Sequence, residues 1–202
     1  MMKIDQLIQT LGHVSSTDTV FNPYQNRILQ KNLQLYVAMM MARRPQVLLV
    51  GEALGYRGGR LTGIPFTSEY IVHHHPYFGA VNGYQLITEK QSFIKEQSAT
   101  IVWETIQGLP IIPLLWNAYP FHPHKKKRPQ SNRPPTAAEL SAGQTFLRQL
   151  VELFEIHVIV AVGRKASHSL EKLGFVHHPV RHPAYGGKGD FVQGLHEIVL
   201  GL

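Results

Sequence analysis

Apolar residues arrive along this chain in two rhythms. Val47 to Val50, Ile111 to Trp116 and Ile156 to Val162 are short, nearly unbroken apolar runs of strand length, each ended by a glycine or an asparagine. Between them the apolar positions fall at helical steps: Leu29, Leu33, Tyr36, Val37 and Met40 share one face, with Asn22-Pro23 as the opening cap and Arg43, Arg44 and Pro45 as the stop. Met39, Met40 and Met41 read as core filler on that helix. A second helix is expected over 98–108, before a strand over 111–117 in which Pro113 marks an irregular start. Thr136 and Glu139 have the spacing of a capping box, which opens a helix running to about Phe154. A strand over 156–162 leads through Gly163 into a helix from about Lys165 to Gly174, then a fourth strand over 175–180 and a last helix capped by Asp190. Strands alternating with helices at such lengths predict an α/β fold, a three-layer αβα sandwich with a central, mainly parallel four-stranded sheet. No linker or internal repeat divides residues 1–202, so one domain is expected.

Composition narrows the chemistry. The 202 residues contain no cysteine, which excludes disulfides, thiolate nucleophiles and cysteine-bound clusters. Twenty basic against 13 acidic residues leave a net charge of +7, which favours a polyanionic partner. No apolar run approaches the ~20 residues that a bilayer span needs. The N-terminal MMKIDQLIQTLGH resembles neither a secretory signal nor an organelle presequence, so a cytoplasmic protein without membrane contact is expected.

In parallel sheets ligands sit beyond the carboxyl ends of the strands, and the unusual residues gather there: Gly51 and Glu52, Asn117, Gly163 and His182. The glycine-rich segment VLLVGEALGYRGGRLTGIPF, residues 47 to 66, lacks the Lys-Ser/Thr of a phosphate loop, and no helix is expected to open after its glycines as a dinucleotide fingerprint requires. A loop whose backbone closely approaches a ligand remains, with a plain tight turn as the other reading.

GEALG at 51–55 with GIPF at 63–66, LLWN at 114–117 and HPAYGGKGDF at 182–191 resemble, in order, the motifs of the uracil-DNA glycosylase superfamily, particularly its GEAPG-motif families. The resemblance implies a DNA base-excision glycosylase that hydrolyses the N-glycosidic bond of uracil or a related deaminated base, with no cofactor. It assigns Phe66 to stack on the flipped base, Asn117 to read its edge, and His182 to donate to the base O2 as negative charge builds there. The backbone around Gly51, Glu52 and Ala53 would complete the cradle, and Glu52 would position water or hold the loop. Read without the resemblance, Phe66 is a core side chain, Asn117 a turn former and His182 an exposed loop histidine. Ala53 stands where relatives carry a water-orienting aspartate, Gly55 where some carry a thymine-excluding tyrosine, Gly186 where some carry a wedge leucine, and the iron–sulfur cysteines are missing.

The proline-studded basic stretch from His122 to Arg133 is expected to be an exposed loop that places Lys125, Lys126, Lys127 and Arg128 on DNA phosphates. Tyr185 and Lys188 are the remaining expected DNA contacts, Tyr185 as a wedge. His73, His74 and His75 are adjacent rather than at the i, i+4 spacing of a helical zinc site, and no metal is expected. Residues 67–97 read as an insertion over the crevice, and the protein as a monomer. A non-catalytic nucleic-acid-binding relative of the same fold is the alternative, motivated by Ala53.

Overall fold

The computed structural model describes residues 2–88 and 92–202, so part of the 67–97 segment, residues 89–91, lies outside the described residues. Four strands form one sheet: β2 (Val47–Ala53), β3 (Leu114–Tyr119), β5 (Val158–Val162) and β6 (His178–Val180), in the order β3-β2-β5-β6 with every pairing parallel. Two further strands, β1 (Val20–Phe21) and β4 (His122–Pro123), pair antiparallel beside it. Val47, Leu48, Leu49 and Val50 are all fully buried. Successive strand side chains point to opposite faces, so a run buried at every position means that both faces are covered, as the three-layer reading requires.

Helices α1 (Met2–His13), α2 (Arg27–Arg43), α5 (Gln97–Ile106), α6 (Ala137–Leu153), α7 (Arg164–Lys172) and α8 (Lys188–Leu200) surround the sheet, with the short α3 (Gly59–Thr62) and α4 (Glu69–His74) between β2 and α5. The expected capping box forms in full at Thr136 and Glu139, and Arg133 adds a bidentate pair to the same carboxylate at 2.6 and 2.7 Å. From α2, the buried Tyr36 hydroxyl donates to Leu115 O at 3.3 Å and accepts from Leu115 N–H at 2.8 Å. Leu115 lies on an edge strand, so one phenol satisfies backbone groups that no neighbouring strand can reach.

Several local expectations are corrected. Asn22 caps only a 3₁₀ turn at Pro23–Gln25, and Asn26 then caps α2 with its own side chain, because two closely spaced asparagines each offer an oxygen to orphan N–H groups. Met40 is buried on α2, but Met41 is 39% exposed, since adjacent helical residues cannot share a face. The glycine-rich segment does enter a helix, the single turn α3. Asp190 lies inside the first turn of α8 and Gly187 holds the cap position, because the turn after Tyr185 closes earlier than the Asp suggests. Helix α1 adds an element beyond those expected, with Ile4, Leu7, Ile8 and Leu11 buried on one stripe at helical spacing.

Candidate active site

Chain order and sheet order part company at β2: the connection to β3 runs to one side and the next strand, β5, is added on the other. Such a switch point opens a crevice at the carboxyl ends of the two central strands. Gly51 and Asn117 are register partners there, on β2 and β3. Paired residues in a sheet face the same way, and Gly51 has no side chain, so the space above it is free for its neighbours. A Cβ at Gly51 would lie 2.8 Å from Phe66 Cζ and closer still to Asn117 Oδ1. The bare backbone, the phenyl ring and the amide therefore form one wall, and the close approach is what makes glycine necessary at 51.

Phe66 is half-buried and sits in the left-handed region, φ 52°, which a bulky residue adopts only when its surroundings impose it. Trp103 on α5 supplies the restraint: its indole N–H donates to Phe66 O at 2.9 Å. That partner carries no signal in the local sequence. Asn117 is 4% exposed, and among the described residues no hydrogen bond holds its side-chain amide, which leaves both of its polar ends available to a ligand.

His182 comes from the other half of the crevice, in the loop after β6. It packs on Gly163, whose added Cβ would lie 2.8 Å from His182 Cβ and whose φ of 87° also disfavours a side chain. Ala184 N–H donates to His182 Nδ1 at 3.2 Å. With Nδ1 accepting, the neutral ring carries its proton on Nε2, the nitrogen left free to donate. Burial, then the charges of Arg181 and Lys165, hold the His182 pKa below the usual histidine range, so the ring is neutral at pH 7. A cleft of about 490 Å³ opens on its outer side against α7, bordered by Arg164, His168 and Arg181, and does not include Gly51, Phe66 or Asn117.

Glu52 is placed differently from its sequence neighbours. Strand alternation turns it to the face away from Asn117, and its carboxylate lies 3.8 Å from Lys165 Nζ on α7. Burial raises its pKa, and Lys165 opposes that rise. Ala53 shares the Gly51 face and offers only a methyl group. Around Gly55 the space is open, with no heavy atom within 4 Å of an added Cβ.

The basic stretch is less of a loop than expected. His122 is fully buried on β4, with Nδ1 2.7 Å from Leu54 O and Nε2 3.2 Å from Pro129 O, and His124 is buried beside it. Tyr56 N–H donates to Asn132 Oδ1 at 3.0 Å. The segment is thereby pinned to the glycine-rich wall, and Lys125 to Gln130 stand exposed at its tip. Lys126 pairs with Asp18 at 3.1 Å and Lys188 with Glu104 at 2.7 Å, both on the surface, where solvent keeps such pairs exchangeable. Tyr185 is 91% exposed at φ 55°, at the tip of the His182 loop. His73 and His74 stack on Phe93 and Tyr70, and among the described residues no group of three His, Cys, Asp or Glu could hold a metal. None of the helices among the described residues is long and apolar enough to cross a membrane.

Comparison with curated protein sequences gives no match. Among solved structures, the fold is similar to that of wild-type SMUG2 from Pedobacter heparinus, with a TM-score of 0.68 at 16% identity, covering 100% of this chain and 98% of that one. The sequence pattern of the uracil DNA glycosylase superfamily matches residues 40–192, which span β2 and its glycine-rich segment, Asn117 and the His182 loop; the chain belongs to that superfamily.

Proposed function

We propose that this protein is a monofunctional DNA glycosylase that hydrolyses the N-glycosidic bond of uracil or a related deaminated base, acting as a monomer and without a cofactor. The observation that carries the reading is the pairing of an unengaged Asn117 amide and the Phe66 ring over Gly51 with a neutral His182 that offers Nε2–H. An extruded base would stack on Phe66, a contact worth about 1–3 kcal/mol, and present its edge to Asn117. As the bond to the sugar breaks, negative charge collects on the base, and the Nε2–H donates to it.

Neither Ala53, which offers only a methyl group, nor Glu52, which turns toward Lys165, orients a water on the Asn117 face. Stabilisation of the departing base then supplies most of the rate, and Glu52 helps to hold the loop through Lys165. Incubating the protein with a single strand containing uracil, hypoxanthine or xanthine, followed by alkali, is expected to cut at one of these bases. Absence of a cut at all three overturns the assignment. The same geometry at Ala53 and Glu52 favours a second reading, a nucleic-acid-binding relative that has lost hydrolysis, for which tight, salt-sensitive binding without turnover is the signature.

A further inference from the structure

Arg60 on α3 has no part in the wall just described. Its guanidinium lies 4.9 Å over the Phe21 ring, half-buried, and its Nε is sealed from solvent with no hydrogen-bond partner. Among the described residues no carboxylate pairs with it. Burial already lowers its pKa, a measure of how poorly the surroundings tolerate the charge. A buried polar atom of a charged group left without a partner is destabilising.

Its neighbours deepen the imbalance. His122 faces two carbonyl oxygens, both of which need an N–H, so full satisfaction of its ring requires the protonated form, while burial and the charge of Arg60 oppose it. His124 stacks on His122 with ring centroids 5.6 Å apart. The adjoining acid, Glu139, is already committed to Arg133 at 2.6 Å. Lys125, Lys127 and Arg128 stand at the tip of the same pinned segment. Positive groups are thus gathered around this segment, and the acids among the described residues there, Asp18 and Glu139, are paired with Lys126 and Arg133, not with Arg60.

We infer that Arg60 is an anion-binding residue that holds a phosphodiester of the bound strand next to the flipped nucleotide. The inference rests on the DNA-glycosylase reading for the identity of the anion. Location supports it: Arg60 N–H donates to Gly55 O at 3.3 Å, and Leu54, one residue earlier, is bound by His122. A phosphate there would sit within one short segment of Gly51, while Lys125 to Arg128 take phosphates farther along. A strand phosphate would accept from the guanidinium of Arg60, which among the described residues is the one arginine with an Nε sealed from solvent and unpartnered.

The test uses the whole protein and a labelled 15-nucleotide single strand, with binding followed by anisotropy across a salt series. Arg60→Gln is expected to weaken binding about tenfold and to flatten the plot of log K against log salt by about 0.7, the value of one single-strand phosphate contact. A neutral methylphosphonate placed in turn at each position is expected to abolish the difference between wild type and Arg60→Gln at one phosphate flanking the target base, and nowhere else. An unchanged slope, or a difference that persists at every position, overturns the inference. Arg60→Lys, which keeps the charge, is expected to retain the slope, and its loss would also overturn it. Inorganic phosphate at matched ionic strength is expected to raise the wild-type melting temperature above that in chloride; no rise would count against a built anion site. Binding is read without turnover, so a protein that binds through Arg60 but cuts no base would reject the glycosylase assignment and leave this one standing.

Discussion

Asn117 and His182 both stand at the carboxyl end of the parallel sheet but are held in different ways. Asn117 is a strand residue at a register position, paired with Gly51, surrounded by core and closed in by a phenyl ring whose own backbone is tied to Trp103. His182 stands in a loop after an edge strand of three residues, and its orientation depends on a close approach to Gly163 and one backbone N–H at 3.2 Å. Strand register cannot slip without moving every side chain of the strand, whereas a loop can adjust by small dihedral changes. The half that would read the base is rigid, and the half that would help it leave can settle onto the substrate.

The largest expected effect comes from breaking the rigid half. Gly51→Ala puts a methyl 2.8 Å from Phe66 Cζ, so ring or amide must move; kcat/KM on a uracil-containing strand is expected to fall at least about 100-fold, with melting lowered by the ~1–3 kcal/mol of an overpacked site. A variant with wild-type turnover would show that the wall is not where the base sits. On the adjustable half, His182→Ala removes one donor and is expected to lower kcat about 10²–10³-fold with little change in KM or melting. A loss confined to KM would instead make His182 a binding group.

Tyr185 sharpens the comparison from the outside, because it is 91% exposed and contributes to neither wall. Tyr185→Ala is expected to leave melting unchanged and weaken strand binding about fivefold to tenfold, the scale of one stacking contact. Identical binding curves would remove it from the interface.

The smallest effect is in pH. His182 has a depressed pKa in the folded protein, so below the unfolded value of about 6.5 the unfolded chain binds more protons and stability falls as pH drops. Turnover is expected to hold level from pH 8 to about 6.5 and decline only below it, as protonation of Nδ1 costs the bond from Ala184. His182→Gln should lessen the acid-side loss of stability in melts taken at pH 5 and pH 7; an unaltered loss would assign it to His75 or His122, whose pKa values burial also lowers.

Much of this was legible in the residues. The runs at 47–50 and 156–162 are strands because continuous apolar segments of that length are stable only between two covering layers, and the Thr136–Glu139 box closes with its own side chains. The motif glycine, Asn117 and His182 could be placed at strand ends, and Phe66 in the glycine-rich segment, from pattern and resemblance together. What pattern missed has a common cause. Proline and lysine around His122 point to an exposed position, yet its partners, Leu54 O and Pro129 O, come from segments 68 and 7 residues away. The resemblance groups Glu52 with Gly51, yet strand alternation sends neighbours to opposite faces, and which face holds the pocket depends on the partner strands.

The sequence by itself determined the kinds of elements, their order, the cysteine-free chemistry and the positive charge, since these follow from local periodicity, caps and composition. Tertiary structure alone decided that Gly163 backs His182, that Trp103 holds Phe66 in a strained backbone, that Glu52 faces Lys165, and that among the described residues Arg60 has no acid beside it. Each depends on atoms brought within about 4 Å from distant parts of the chain, and packing free energy acts on that distance rather than on separation in sequence.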